Sequence, residues 1–236
     1  MTAVINYLYD ITQVIGLPSY GLAIILLTVL IKIVLYPLTQ MQMKSMLQMQ
    51  LLQPELQKIQ KKYSKDKQKM QQKMMELYKE RKVNPMAGCL VLLIQLPILI
   101  ALYRALLGFD FSDTAHAGFF WIPILSERDP YYILPVLAAV STYLQAKMTT
   151  PASAAAAQGG NPGAQQTQKI MLYFMPLFIG WISSTLPAGL ALYWTVFNIM
   201  GIIQQYFINR ELMPATEGVA DVEGDRKDRK ERTGGR

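Results

Sequence analysis

Residues 20–38 read YGLAIILLTVLIKIVLYPL and contain one charged side chain, Lys32. A helix needs roughly 20 mostly apolar residues to cross the ~30 Å of hydrocarbon in a bilayer, so this stretch predicts a membrane span. In a soluble domain the apolar residues would be spread along the chain at helical or strand spacing rather than pooled in one block. The sequence therefore predicts an integral membrane protein.

Four more apolar blocks follow the first and are separated from it and from one another by polar connections. Of the 236 residues, 52% are hydrophobic and 17% are charged. The pattern predicts an all-α polytopic membrane protein with five transmembrane helices, at about residues 20–38, 86–107, 131–147, 170–186 and 188–208. Within residues 1–18, apolar side chains recur every three or four residues with polar side chains between them. This spacing predicts an amphipathic helix lying on the membrane surface.

Lysine and arginine are concentrated in one connection. Residues 40–84 carry eleven of them, whereas residues 109–130 carry only Arg128. Cytoplasmic loops of membrane proteins are enriched in these residues, so we expect the N-terminus outside and the C-terminus in the cytoplasm. The net charge of +7 would suit nucleic acid or anionic lipid. Because the charge sits in the loops of a membrane protein, we predict no direct nucleic-acid function.

The basic connection 40–84 has the pattern of a helical hairpin. Apolar side chains recur every three or four residues on both sides of a turn at 64–66, namely Met49, Leu52, Leu56, Ile59 and Tyr63, then Met70, Met74 and Leu77. This spacing predicts two antiparallel helices packed along one seam. Beyond the core, taken as residues 19–210, the charged tail 211–236 is predicted to be disordered. The alanine- and glycine-rich segment 149–168 is predicted to be a flexible linker.

Lys32 is the informative anomaly within the first span. A charge inside a span is costly and usually faces the interior of a helix bundle or a water-filled cavity. Thr28 and Tyr36, four residues to either side, fall on the same helix face and extend it into a polar stripe. The alternative is that Lys32 extends its long stem along the helix to reach the cytoplasmic headgroups.

The other spans carry polar side chains at comparable depth. They are Gln95, Thr142, Gln145, Ser183, Ser184, Trp194 and Asn198. Each could simply form a hydrogen bond between helices, which needs no further function. Taken together with Lys32, the set favours a shared hydrated groove.

The sequence does not predict an enzyme. Its one cysteine, Cys89, and one histidine, His116, leave no pattern for a nucleophile with its base. It also lacks a glycine-rich phosphate loop and a spaced set of metal ligands. We therefore predict no catalytic activity, no cofactor and no metal site.

Several motifs now point to one family. They are IKIVLYPL at 31–38, LQPEL at 52–56, KVNP at 82–85 followed by LIQLP at 93–97, DPYYILP at 129–135, PAGLALYW at 187–194, and the run 198–205. In this order and spacing the chain resembles the YidC/Oxa/Alb membrane insertases over nearly all of residues 18–210. The bacterial type, without its large external domain, is the most similar.

The resemblance implies a five-helix core around a hydrophilic groove that is open to cytoplasm and lipid. Family members carry a groove arginine where this chain has Lys32, so Lys32 is expected to attract acidic segments of substrates. It further implies a bacterial inner-membrane location, nascent membrane proteins as substrates and the lipid bilayer as surroundings. Independently of the resemblance, the charge and two-helix pattern of residues 40–84 favour a platform for the Sec translocon, the ribosome or targeting factors, and the alternative is a solvated face that only fixes the topology.

Two other functions stay open at this point. A small-solute transporter or channel would also need polar residues in its spans, but typically shows paired half-repeats or broken helices, which the sequence does not. A scaffold subunit without a groove function would use the basic hairpin only for docking.

Overall fold

Helices make up nearly all of the structure. The computed structural model describes residues 1–83, 87–107, 109, 114–149 and 169–233. In chain order the helices are α1 Thr2–Val14, α2 Tyr20–Val34, α3 Tyr36–Leu51, α4 Gln53–Lys62, α5 Lys67–Glu80, α6 Ala87–Leu107, α7 Ile133–Thr149, α8 Met175–Thr185 and α9 Ala188–Thr233, with a 3-10 turn at Thr114–His116 and a π turn at Ile170–Phe174. Over these ranges the β contacts amount to one isolated bridge, Phe119 to Ile122, and the predicted all-α class is confirmed.

The first predicted span, 20–38, is not one straight helix. The backbone turns by 62° between α2 and α3. Pro37 explains the turn, because it cannot donate a backbone hydrogen bond to the preceding turn and its ring crowds the carbonyl there. The bend leaves Lys32 on α2 and moves Tyr36 to the start of α3.

Taken singly, none of the described helices is both long and apolar enough to qualify as a membrane span. The α2 helix and Tyr36–Ser45 qualify only as a bent pair, and two shorter apolar helices lie at Leu93–Leu107 and Ile170–Thr185. The count of five spans therefore stays a prediction. The positions of α6, α7 and the π turn with α8 nevertheless match the second, third and fourth apolar blocks to within about two residues.

The long helix α9 forms the centre of the fold, packing against α2, α6 and α7, while α8 packs against α7. Tyr193 of α9 lies in the main core together with Tyr20 and Ile24 of α2 and Leu102 and Leu106 of α6, all buried. The α1 helix packs on this core through its own buried face, and the ring of Tyr9 stacks on Tyr20 with centroids 4.0 Å apart.

The segment between α6 and α7 folds over one end of this bundle. Its backbone accepts hydrogen bonds from the first turn of α9, from Ala188 to Glu127 at 2.6 Å and from Gly189 to Leu125 at 2.9 Å. Buried Asp129 holds the segment together, because its carboxylate accepts from the Trp121 indole at 3.1 Å and from the backbone N–H of Leu134 in α7 at 2.6 Å. The described part of this segment is therefore attached to the starts of both α9 and α7.

The α4 and α5 helices pack side by side. Leu52, Leu56, Leu77 and Val83 are buried between them, with Met49, Ile59, Met74 and Tyr78 beside these. Arg81, after the end of α5, pairs with Glu55 in the first turn of α4 at 2.7 Å, so the two helices run antiparallel. Asp66 caps α5 by accepting a hydrogen bond from the backbone N–H of Lys69 at 3.0 Å.

The α9 backbone is helical to Thr233 and so covers most of the tail 211–236 that the sequence predicts to be disordered. The tail's many Glu, Lys and Arg residues have high helix propensity, and opposite charges four residues apart support a helix. Of the predicted linker 149–168, Thr149 ends α7 and the rest lies outside the described residues. The division into 1–18, 19–210 and 211–236 stays a prediction.

Candidate functional site

Lys32 crosses from α2 to α9. Its side chain is only 5% exposed, and its Nζ lies 3.7 Å from the centroid of the Phe197 ring. The ammonium group of Lys32 thus lies against α9. Among the residues that the structure describes, no carboxylate pairs with this ammonium group.

A glycine on α9 makes room for this arrangement. A Cβ atom at Gly201 would lie 2.5 Å from Nε2 of Gln145 in α7 and 3.3 Å from Nζ of Lys32. Both side chains therefore fill the space that a larger residue would occupy. Gly201 lies one turn beyond Phe197 on α9, so the missing side chain at position 201 leaves a gap beside the Phe197 ring. We call this gap the notch, and the Lys32 ammonium group occupies it.

A cavity of about 460 Å³ adjoins the notch where α2 bends into α3. Its walls are Lys32, Ile33, Tyr36, Met200, Ile203, Gln204 and Phe207. We call it the Lys32 pocket. Tyr36, Ile203 and Phe207 are exposed, so the pocket opens at the surface of the bundle, and the Gln40 amide donates to the Tyr36 hydroxyl at 2.6 Å. A buried cation therefore borders an open and mostly apolar cleft.

A second group of predicted residues joins α7 to α9 by hydrogen bonds. The Trp194 indole donates to the Thr142 hydroxyl at 3.1 Å, and the Asn198 amide donates to the same oxygen at 2.8 Å. Asn198 also donates to Ser141 at 3.3 Å. These contacts are the interhelical bonds that the alternative interpretation of each polar residue expects.

The remaining predicted residues lie apart from the pocket. The Gln95 amide on α6 donates to the Tyr193 hydroxyl at 2.9 Å, and the Thr28 hydroxyl donates to its own helix at the Ile24 carbonyl at 2.7 Å. Ser183 lines a different, apolar cavity of about 390 Å³ between α6, α8 and α9, together with Trp194. Of the predicted set, Lys32 and Tyr36 line the Lys32 pocket and Gln145 adjoins Lys32.

Sequence reasoning missed three residues of this site: Phe197, Gly201 and Gln204. Phe197 and Gly201 follow Tyr193 at four-residue spacing, which marks one helix face but does not reveal what faces it. Gln204 donates to the Thr39 hydroxyl at 2.8 Å and so ties α9 to α3. Gln204 lies within the run 198–205 that contributes to the family resemblance, and its polarity there could have indicated a site residue.

Comparison with known proteins gives a consistent result. Residues 10–216 match the family model described as 60Kd inner membrane protein. The membrane protein insertase YidC of Geobacter sulfurreducens is 44% identical over 199 residues, which are 84% of this chain and 35% of that protein. The proteins of the same name from Haemophilus influenzae and Mannheimia succiniciproducens are 45% and 47% identical over 195 residues, 82% of this chain and 34% of each relative. The chain thus spans about a third of the length of these relatives.

Proposed function

This chain belongs to the YidC family of 60Kd inner membrane proteins, and on that premise we propose that it inserts integral membrane proteins into the bilayer and assists their folding. The proposed site of action is the Lys32 pocket. Nascent membrane proteins are the proposed substrates, and the bacterial inner membrane is the proposed location.

The proposal rests on the places of polar and apolar side chains in the bundle: polar side chains are buried, whereas large apolar side chains are exposed. Lys32 and Asn198 are each only 5% exposed, whereas Ile33 is 63%, Leu177 70% and Trp181 65% exposed. Large apolar side chains on the outside of α2 and α8 suit hydrocarbon rather than water, and polar side chains turned inward suit a membrane bundle. This supports an integral protein with five spans, counting the bent α2–α3 pair as one.

The proposed topology has the N-terminus outside, with α1 at the outer surface, and the tail in the cytoplasm. The α4–α5 hairpin, residues 53–80, then lies on the cytoplasmic side with its lysines in water. The end of the bundle that the segment around Asp129 covers faces outward, and the Lys32 pocket lies toward the cytoplasm. This arrangement matches a groove that is open on one side of the membrane only.

The physical logic of the pocket suits insertion. A substrate segment that must cross the membrane carries backbone and acidic groups into hydrocarbon, where each unpaired group costs several kcal/mol. At about 4 Å and an effective dielectric constant near 20, Lys32 would attract a carboxylate by roughly 4 kcal/mol before desolvation is subtracted. The substrate's apolar helix can then leave sideways into lipid.

Unpaired amide groups support a wet pocket. Within the part of the chain that the structure describes, both polar atoms of the Gln42 side chain and Oε1 of Gln205 are buried and unpaired. Gln42 follows Thr39 by one turn on α3 and Gln205 is next to Gln204 on α9, and the Gln204 amide donates to the Thr39 hydroxyl between these two helices. Buried polar groups without a protein partner are commonly satisfied by water, so we propose that water enters here.

We propose the hairpin as the docking point for the ribosome, targeting factors or the Sec translocon. Most of the basic residues of 40–84 are exposed on it, and Leu56, Ile59, Met74, Leu77 and Tyr78 pack in its own seam. Transporters also contain bent or broken helices such as the α2–α3 pair, typically in two copies. Among the described helices no second bent pair is present. The similarity to insertases therefore favours the insertase function over a transporter function.

A photocrosslinking experiment tests the proposed site. A photoreactive phenylalanine analogue at Ile203, which lines the pocket, should crosslink to a stalled single-span substrate with an acidic external tail. The same group at Ile199, one turn earlier on α9, exposed to a similar degree and outside the pocket, is the matched control. We expect several-fold stronger crosslinking from position 203. Equal crosslinking from both positions, or none from position 203, would contradict the proposal.

A further inference from the structure

The Lys32 ammonium group is buried without a counter-ion in the described part of the chain. Moving a charge out of water is costly unless another group compensates for the lost hydration. The group that faces Nζ at 3.7 Å is the ring of Phe197, itself only 7% exposed. The face of an aromatic ring is negative and attracts a cation, and this attraction grows when water is excluded.

The Phe197 ring packs within the main apolar core and contacts Tyr193 as well as Lys32. It stacks against Tyr193 with centroids 5.8 Å apart and planes inclined by 29°. The Tyr193 hydroxyl in turn accepts a hydrogen bond from Gln95 of α6 at 2.9 Å. One turn later on α9, Gly201 leaves room for Nζ beside Gln145. The ring is thus packed against Tyr193 in the core while its face meets the Lys32 ammonium group.

We propose that Phe197 is a positioning and specificity-determining residue that holds the Lys32 ammonium group in place without neutralising it. This inference rests on the proposed insertase function. A carboxylate at this place would pair with Lys32 and compete with every acidic substrate. The uncharged ring compensates part of the cost of burial, yet it is a weaker partner than a carboxylate, so an incoming aspartate or glutamate displaces it. The ring therefore keeps the charge available and makes the pocket selective for acidic segments.

Phe197 could alternatively contribute only to the packing of the core, without positioning Lys32. Phe197 belongs to the main apolar core, so its loss would also leave a void. Packing does not depend on the charge of the substrate or on the presence of Lys32. The proposed role depends on both.

A spectroscopic measurement tests the ring contact without any insertion assay. In lipid nanodiscs containing the full chain with ¹³C-labelled lysine, the Lys32 ε-methylene signal is assigned by its disappearance in Lys32→Met. Protons over a ring face are shifted upfield. We expect that Phe197→Leu abolishes this shift and that Phe197→Tyr retains it. A soluble peptide bearing several aspartates should reduce it in the unmodified chain, and its asparagine counterpart should not. An unchanged signal in Phe197→Leu, or no difference between the two peptides, would overturn the proposal.

Insertion assays test the functional consequence. Phe197→Leu should lower insertion of a substrate with an acidic external tail by roughly fivefold, and should leave the same substrate with aspartates changed to asparagines unaffected. In a Lys32→Met background, Phe197→Leu should add nothing. The control is Tyr206→Leu, which replaces an exposed aromatic residue of α9 outside the pocket and should have no effect.

These experiments distinguish failure of the proposed role of Phe197 from failure of the proposed insertase function. Equal loss for both substrates, or the same loss with and without Lys32, would reduce Phe197 to packing and overturn the proposal. Failure of the unmodified chain to insert any substrate would refute the proposed function instead. The ring-current shift would still decide whether Phe197 holds Lys32.

Discussion

Lys32→Ala is expected to lower insertion of a single-span substrate with an acidic external tail by about tenfold, equivalent to ~1.4 kcal/mol. Lys32→Arg should keep most of the activity. The gross attraction of roughly 4 kcal/mol is reduced by the cost of desolvating the carboxylate, which leaves a net effect of this size. Arginine keeps the positive charge and can also stack on the Phe197 ring. The measurement is the protease-protected fraction of substrate in proteoliposomes.

The comparison needs two controls. Lys44→Ala removes one positive charge from an exposed position on α3, away from the pocket walls, and should change insertion little. A substrate whose acidic tail is replaced by a neutral one should be nearly insensitive to Lys32→Ala. Equal activity of Lys32, Lys32→Arg and Lys32→Ala on the acidic substrate would remove the charge from the mechanism.

Gly201→Leu is expected to abolish as much insertion as Lys32→Ala, although it leaves every charge in place. Even the Cβ atom of the new side chain would lie 2.5 Å from Gln145 Nε2 and 3.3 Å from Lys32 Nζ, so leucine must drive Lys32 out of its notch. Overpacking of this kind usually costs ~1–3 kcal/mol of stability as well. Gly201→Ala should have a smaller effect, because the ends of two flexible side chains can move aside.

Gly180→Ala is the matched control for Gly201→Ala. Its Cβ atom would lie 2.9 Å from the Cβ of Ala139, so it also tightens a contact with α7, but through α8 and without Lys32 among its neighbours. We expect a lower melting temperature with unchanged insertion per folded molecule. In the Lys32→Ala background, Gly201→Leu should cause little further loss of insertion. A large further loss there would show that Gly201 acts through helix packing alone.

The helix positions could be predicted from the sequence because apolar blocks and basic connections are local patterns. The second, third and fourth blocks match the observed helices closely, and the seam residues of the hairpin, such as Leu56 and Leu77, are buried as their spacing predicts. The bend at Pro37 was not predicted, because a proline near the end of an apolar block is compatible with either a span terminus or a kink.

The candidate site was only partly predictable. The sequence identifies Lys32 because a charge among apolar residues is conspicuous, and it identifies polar candidates on other spans for the same reason. Their pairing is a property of the three-dimensional packing, so Trp194 with Thr142 and Gln95 with Tyr193 could not be foreseen. Phe197 was invisible as a partner of Lys32, because one more aromatic residue in an apolar helix carries no local signal.

Reconstitution of the purified chain shows whether it inserts membrane proteins through Lys32. The chain is incorporated into liposomes of phosphatidylethanolamine and phosphatidylglycerol, and a single-span substrate with an acidic external tail is synthesised in their presence. We expect a protease-protected external segment to accumulate several-fold above the level in protein-free liposomes. In Lys32→Ala proteoliposomes we expect the protected fraction to fall most of the way back to that level. Equal protection in liposomes with and without the chain would refute the proposed insertase function.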